Sequence, residues 1–300
     1  MRRLALLASA LLAAAPARAA TEIALTFDDL PVHGPLPPGQ APQAVASSIV
    51  SSLRAARVAD AYGFVNGAGV ARRPATEAVL RIWRKAGYAL GNHTWSHPRL
   101  DSLSAGDFAR EITRNEPLLV RHMGRADWRW FRYPYLAEGA DPARRAAVRA
   151  VLAKRGYRIA AVTMSFGDYR WNPPYARCLA SGDKAGIATL EQSYLAAAAA
   201  ALQDSQAMAG ALYGRDIPYV LLMHVGAFDA HMLPRLLSYY RAQGVRFVSL
   251  ADAERDPAYA RDVDPRRPAG PESLEARMRA RGLPLPKRHD HGEGLERLCR

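Results

Sequence analysis

The sequence predicts a single α/β domain whose parallel strands, about seven of them, curl into a partly open (β/α) barrel. Three observations carry this. Short apolar, β-prone runs alternate with longer helix-like segments, the pattern of parallel strands joined by crossover helices. The number of runs suits a barrel better than a small open sheet, with a doubly wound sheet as the alternative. The polar residues of chemical interest also fall just after strand-like runs, the positions that a parallel barrel gathers on its C-terminal face.

In chain order the strand-like runs are Glu22–Phe27, Ala61–Val65, Tyr88–Gly91, Trp128–Phe131, Arg158–Thr163, Pro218–His224 and Val245–Leu250. Helix-like segments lie between them, near residues 41–57, 74–86, 104–123, 142–155, 189–213 and 230–243. Pro74, Pro142 and Pro234 fall near helix starts, where a missing N–H does little harm. Gly87, Gly156 and Gly244 fall just past helix ends, where left-handed caps form. Residues 172–186, rich in Gly, Pro and small side chains, read as a long loop. The barrel domain spans residues 20–255. From Asp256 to Arg300 the chain is rich in Pro, Arg and Asp and reads as a lightly packed extension, with one amphipathic piece at Glu272–Arg281.

Residues 1–19 have the build of a secretory signal peptide: Met1-Arg2-Arg3, an apolar stretch from Leu4 to Ala15, and the small-x-small end Ala17-Arg18-Ala19. The apolar stretch is far shorter than the roughly 20 residues a membrane-spanning helix needs, and no later segment is apolar enough to span. The expectation is a periplasmic or secreted protein. Losing Arg2, Arg3 and Arg18 lowers the formal net charge from +13 to +10. That charge is scattered, without a basic run interleaved with aromatics, which argues against a nucleic-acid partner. Weak attraction to anionic envelope polymers is compatible with it. The two cysteines, Cys178 and Cys299, would form one disulfide in an oxidising compartment and tie the tail to the body.

Asp28 and Asp29 end the first strand-like run, a position that also suits a cap or turn. His93 and His97 follow the third run, and Pro98 disfavours helical backbone at His97, so the pair sits on a turn leaving the strand. Asp29, His93 and His97 make a two-histidine, one-carboxylate set with open positions for water and substrate. Zn2+ fits those ligands, with Co2+, Mn2+ and Fe2+ left open. Asp28 is then a spare carboxylate beside the metal, the minimum equipment for hydrolysis. Arg132, in Arg132-Tyr133-Pro134-Tyr135, suits a fixed ion pair. His224 closes the run Tyr219-Val220-Leu221-Leu222-Met223 on the same expected face. Trp95, Tyr135 and Trp171 neighbour these residues and would either stack on sugar rings or pack in the core.

Taken together, Thr26-Phe27-Asp28-Asp29, His93-Thr94-Trp95-Ser96-His97, Arg132-Tyr133-Pro134-Tyr135 and Leu222-Met223-His224 resemble the ordered motifs of the polysaccharide deacetylases of carbohydrate esterase family four. The resemblance runs from about Thr21 to Ala253. It implies a distorted, partly open barrel and hydrolysis of N-acetyl groups on a glycan such as a chitooligosaccharide or peptidoglycan. Asp28 would be the general base, and Asp29, His93 and His97 would hold the metal. Arg132 would orient Asp28, Tyr135 would offer its backbone N–H to the oxyanion, and His224 would be the general acid. The family's remaining motif matches Phe166-Gly167-Asp168-Tyr169-Arg170-Trp171 only with altered spacing, with Asp168 as the residue tuning His224 and Trp171 lining the pocket. A metal-dependent amidohydrolase or acetyl esterase with another substrate, and a non-catalytic glycan-binding protein, are the competing expectations.

Overall fold

The computed structural model describes residues 20–268, 273–287 and 289–300. The expected leader, residues 1–19, and Glu272 lie outside them.

All seven expected strands form: β1 (Glu22–Leu30), β2 (Tyr62–Val65), β3 (Ala89–Asn92), β4 (Trp130–Phe131), β5 (Arg158–Ile159), β6 (Tyr219–His224) and β7 (Arg246–Val248). Every pairing is parallel. The order is β5-β4-β3-β2-β1-β6, with β7 joining the N-terminal end of β1. The sheet curls until the stretch after β5 meets β6 at one bridge, Met164 to Leu221. This is the partly open barrel, and the doubly wound alternative falls.

The period of two along each strand sorts side chains between two cores. Ile23, Leu25 and Phe27 of β1 face the surrounding helices, while Ala24, Thr26 and Asp28 face the interior. Tyr62, Phe64, Trp130 and Val220 join Ala24 in that interior. It is filled: a Cβ on Gly91 would lie 2.8 Å from the Phe64 ring, the Tyr62 ring and the Trp130 carbonyl oxygen. The same alternation continues past the strand ends. Residue 93 follows Gly91, Arg132 follows Trp130, and His224 follows Val220 and Leu222, so each projects over the C-terminal mouth.

The outer helices are α1 (Pro42–Ala55), α2 (Gly67–Arg72), α3 (Glu77–Lys85), α4 (Ala105–Met123), α5 (Pro142–Lys154), α6 (Asn172–Ser181), α7 (Lys184–Tyr213) and α8 (Ala227–Ala242). Short α9 (Leu250–Ala253) and α10 (Leu274–Ala280) follow. Gly87, Gly156 and Gly244 take the left-handed conformation expected of them, with φ of 93°, 73° and 76°. Pro142 begins α5, but Pro234 sits inside α8, which starts three residues earlier than expected from the sequence.

Two further expectations are corrected. The segment expected to be a loop, residues 172–186, contains α6; its prolines lie in the first turn and Gly182 caps its end at φ 69°, so breaker residues here mark boundaries. The tail is not lightly packed either. Tyr259, Leu274, Met278 and Leu295 are buried, and Tyr259 donates to the Pro218 carbonyl at 2.6 Å beneath the barrel. No helix among the described residues is long and apolar enough to cross a membrane.

Candidate active site

The mouth of the barrel collects Asp28, Asp29, His93, His97, Arg132, Asp168 and His224. Sheet register brings Asp28 of β1 directly beside His224 of β6. Asp28 and Arg132 form a buried ion pair: Nη1 donates to Oδ1 at 3.1 Å. Arg132 is fixed on three further sides, since Nε donates to the Ala160 carbonyl at 2.9 Å, Nη2 donates to Thr26 Oγ1 at 3.1 Å, and the guanidinium lies over the Phe64 ring. So many constraints leave the arginine one direction in which to present its charge.

Asp29 points into the gap between the histidines. Its Oδ1 lies 3.5 Å from His93 Nε2 and 3.4 Å from His97 Nε2, and His93 Nε2 is 3.6 Å from Asp28 Oδ2. One ligand atom from each of Asp29, His93 and His97 lies within 4.8 Å of the others. Among the described residues, Asp29 Oδ1 is a buried oxygen with no hydrogen-bond partner, which a polar group in a dry site does not tolerate unless something is bound to it. His93 Nδ1 lies 2.7 Å from the Arg132 carbonyl, which fixes the ring and turns Nε2 inward. The residues therefore fit a divalent cation.

The electrostatics agree. Burial raises the Asp29 carboxyl, but the hydrogen bond from His33 and the His93 and His97 imidazoles hold it well below the ordinary carboxylate range. Burial and the neighbouring His93 press His97 down to about 4. At neutral pH the carboxylate is charged and this imidazole neutral, the forms that bind metal. Burial pulls His224 down as well, but the charge and hydrogen bond of Asp168, aided by Asp29 and Asp28, push it up to about 10. Asp168 is itself fully buried.

Backbone geometry is unusual here. Asp29, Thr94, His97, Tyr135 and Leu136 all have positive φ, between 54° and 67°, a region that non-glycine residues seldom occupy. His97 sits on the turn that Pro98 implied.

The aromatic expectations divide. Trp95 is half-buried beneath the Arg114 guanidinium and lines a cleft of about 200 Å3 with Asp29, His33 and His97. Tyr135 stands exposed on the rim, its ring centroid 4.5 Å from that of His97. Trp171 does not line the pocket: it is 0 % exposed, packs on Phe166 and Tyr194, and donates its indole N–H to Ser193. Its neighbour Tyr169, 46 % exposed, takes that place, 5.2 Å from the His224 ring. His33 was also missed. It donates from Nδ1 to Asp29 Oδ2 at 2.7 Å and lies 4.6 Å from His224, ring to ring. Its only signal in the sequence is its place four residues after Asp29. Cys178 and Cys299 are joined in a disulfide.

The fold is similar to that of family 4 carbohydrate esterases. Residues 16–160, which carry Asp28, Asp29, His93, His97 and Arg132, match the model of the polysaccharide deacetylase family. Over 102 residues the chain is 35% identical to the peptidoglycan-N-acetylmuramic acid deacetylase PdaC of Bacillus subtilis, a stretch that is 34% of this chain and only 19% of PdaC. A family 4 carbohydrate esterase from Streptomyces lividans, solved with acetate, superposes with a TM-score of 0.50 at 22% identity, over 79% of this chain and 97% of the other. A family 4 pseudoenzyme from Bacillus anthracis superposes with a TM-score of 0.55 at 14% identity, over 78% of this chain and 66% of the other. At such identities the superpositions show the fold alone.

Proposed function

We propose that this chain is an exported, metal-dependent hydrolase that removes N-acetyl groups from an N-acetylated glycan. Because the fold also serves a pseudoenzyme, the reading rests on residues. One observation carries it: the Asp29, His93 and His97 cluster is adjoined both by the Asp28–Arg132 ion pair and by the Asp168–His224 pair. A base and an acid beside a metal cluster are what amide hydrolysis requires, because an amine leaves poorly unless protonated.

Asp29, His93 and His97 would hold the cation, which we assign as Zn2+, with Co2+, Mn2+ and Fe2+ as substitutes. Such an ion supplies Lewis acidity toward water and a carbonyl oxygen. Asp28, held in place by Arg132, takes the proton of the attacking water. His224, kept protonated by Asp168, delivers a proton to the amide nitrogen as the C–N bond breaks. The Tyr135 backbone N–H would meet the oxyanion, and the Tyr135 and Trp95 rings would contact the sugar.

Export is supported by the leader-like first 19 residues and by the disulfide, which persists in oxidising compartments. The test is acetate release from chitooligosaccharides, peptidoglycan fragments and acetyl esters, with and without a chelator. Chelator-sensitive release from an N-acetylated glycan is expected. No release from any of them by protein shown to contain metal would sink the proposal.

A further inference from the structure

A second, larger cleft of about 760 Å3 opens beside the candidate active site, a size typical of ligand sites. Residues 162–170 form one wall, α7 near Ala197 and Ala201 another, and the C-terminal extension a third, through Lys287, His289 and His291. Tyr169 belongs to both regions: it lines the cleft while its ring lies near His224 and His33. Leu136, next to Tyr135, lines the cleft from the other side. The cleft therefore adjoins the barrel mouth.

The extension is clamped in place by the segment that completes the site. Arg170 donates to both oxygens of Asp290, at 2.7 and 3.1 Å, and to the Gly292 carbonyl at 2.8 Å. Gly292 sits so close that a Cβ there would lie 2.6 Å from Arg170 Cζ. Arg177 donates to the carbonyls of Leu295, Glu296 and Leu298, and Cys178 is bonded to Cys299. An exposed ion pair alone contributes little. Here it is one of several anchors, all within ten residues of Asp168 and Tyr169.

We propose that the C-terminal extension is one wall of a glycan-binding cleft that holds the sugar units flanking the one deacetylated. The inference rests on the deacetylase reading and deepens it: residues of the extension, outside the barrel, contact the sugars beside the reacting one. The lining supports a saccharide. Tyr169 offers a half-exposed ring face, Lys287 and the two imidazoles offer polar contacts, and the charge of Arg170 is already met by Asp290.

The test compares deacetylation of the dimer and the pentamer of N-acetylglucosamine by the metal-loaded full chain. The wild-type protein should favour the pentamer by about tenfold in kcat/KM. His289→Ala with His291→Ala should bring that ratio close to one, through KM. Asp290→Ala, which removes one of the anchors and one lining side chain, should lower the ratio in the same direction by a smaller factor. A wild-type protein without length preference, or variants that keep the wild-type ratio, would overturn the inference. Should the wild-type protein deacetylate neither sugar, calorimetric titration with the pentamer decides. Binding that weakens about tenfold in the double variant sustains the cleft although the catalytic reading fails, and absent or unchanged binding overturns it.

Discussion

Asp168 takes two hydrogen bonds from His224, one from its main chain and one from its ring. Oδ2 accepts the backbone N–H at 2.6 Å and Oδ1 lies 3.0 Å from Nδ1. The carboxylate thus fixes both where the histidine stands and how its ring is turned, leaving Nε2 to face the barrel mouth. Asp168 comes from a short 3-10 turn after Gly167, whose φ of 70° makes the bend into it.

Replacing Asp168 with Asn should therefore do two things to catalysis. Loss of the charge removes the main force raising His224, so its pKa falls from about 10. A general acid works only while protonated, so the alkaline limb of the kcat profile should move to lower pH. At neutral pH, kcat should drop by about 100-fold, the usual scale of a positioned acid. The pH–rate profile is the measurement, and an alkaline limb at its wild-type position would remove His224 from the acid role.

Asp28 and Asp29 are adjacent, yet the geometry separates them. Asp28 is tied to Arg132, whereas Asp29 Oδ1 faces His93 and His97. Asp28→Asn should cut turnover by at least about 100-fold while leaving metal content near wild type. Asp29→Ala should lose both. Metal analysis of the two purified variants beside acetate release separates the roles, and equal metal loss in both would merge them.

Much of this site could be read from sequence because parallel barrels impose a simple rule: strands are nearly continuous apolar runs, and chemistry follows their ends. Asp28, His93, Arg132 and His224 obey it. The rule fails where direction is set over one residue. Asp168, Tyr169 and Trp171 share a single tight turn, and tertiary packing alone decides that Tyr169 faces the mouth while Trp171 is buried against Tyr194. Composition misled at α6, where Pro and Gly bound a helix. The packing of the tail was hidden because its anchors, Arg170 and Arg177, act more than a hundred residues away.

The Cys178–Cys299 bond closes a loop of 121 residues, a long excursion for the unfolded chain. Restricting so large a loop should stabilise the fold by up to about 5 kcal/mol. Cys299→Ser, or reduction of the wild-type protein, should lower the urea midpoint accordingly. An unchanged midpoint would mean that the tail is held by its hydrogen bonds and apolar contacts alone.

His33 makes the last prediction, because it acts on the metal cluster without belonging to it. Its Nδ1–H bond to Asp29 Oδ2 holds that carboxylate so that Oδ1 faces His93 and His97, and it helps keep Asp29 ionised. His33→Ala removes both effects. Partners of metal ligands commonly contribute 10- to 100-fold in affinity, and a loss of about that size is expected, read by competition with a chromogenic chelator. The sign with pH follows from the same contact. Losing a donor raises the carboxyl pKa, so protons compete with metal at higher pH than in the wild-type protein, and the affinity gap widens as pH falls. His33→Asn, which can offer an N–H in place of the imidazole, should recover part of the loss. An affinity equal to wild type in His33→Ala across that pH range would show that the turn backbone, with Asp29 at φ 63°, positions the carboxylate without help.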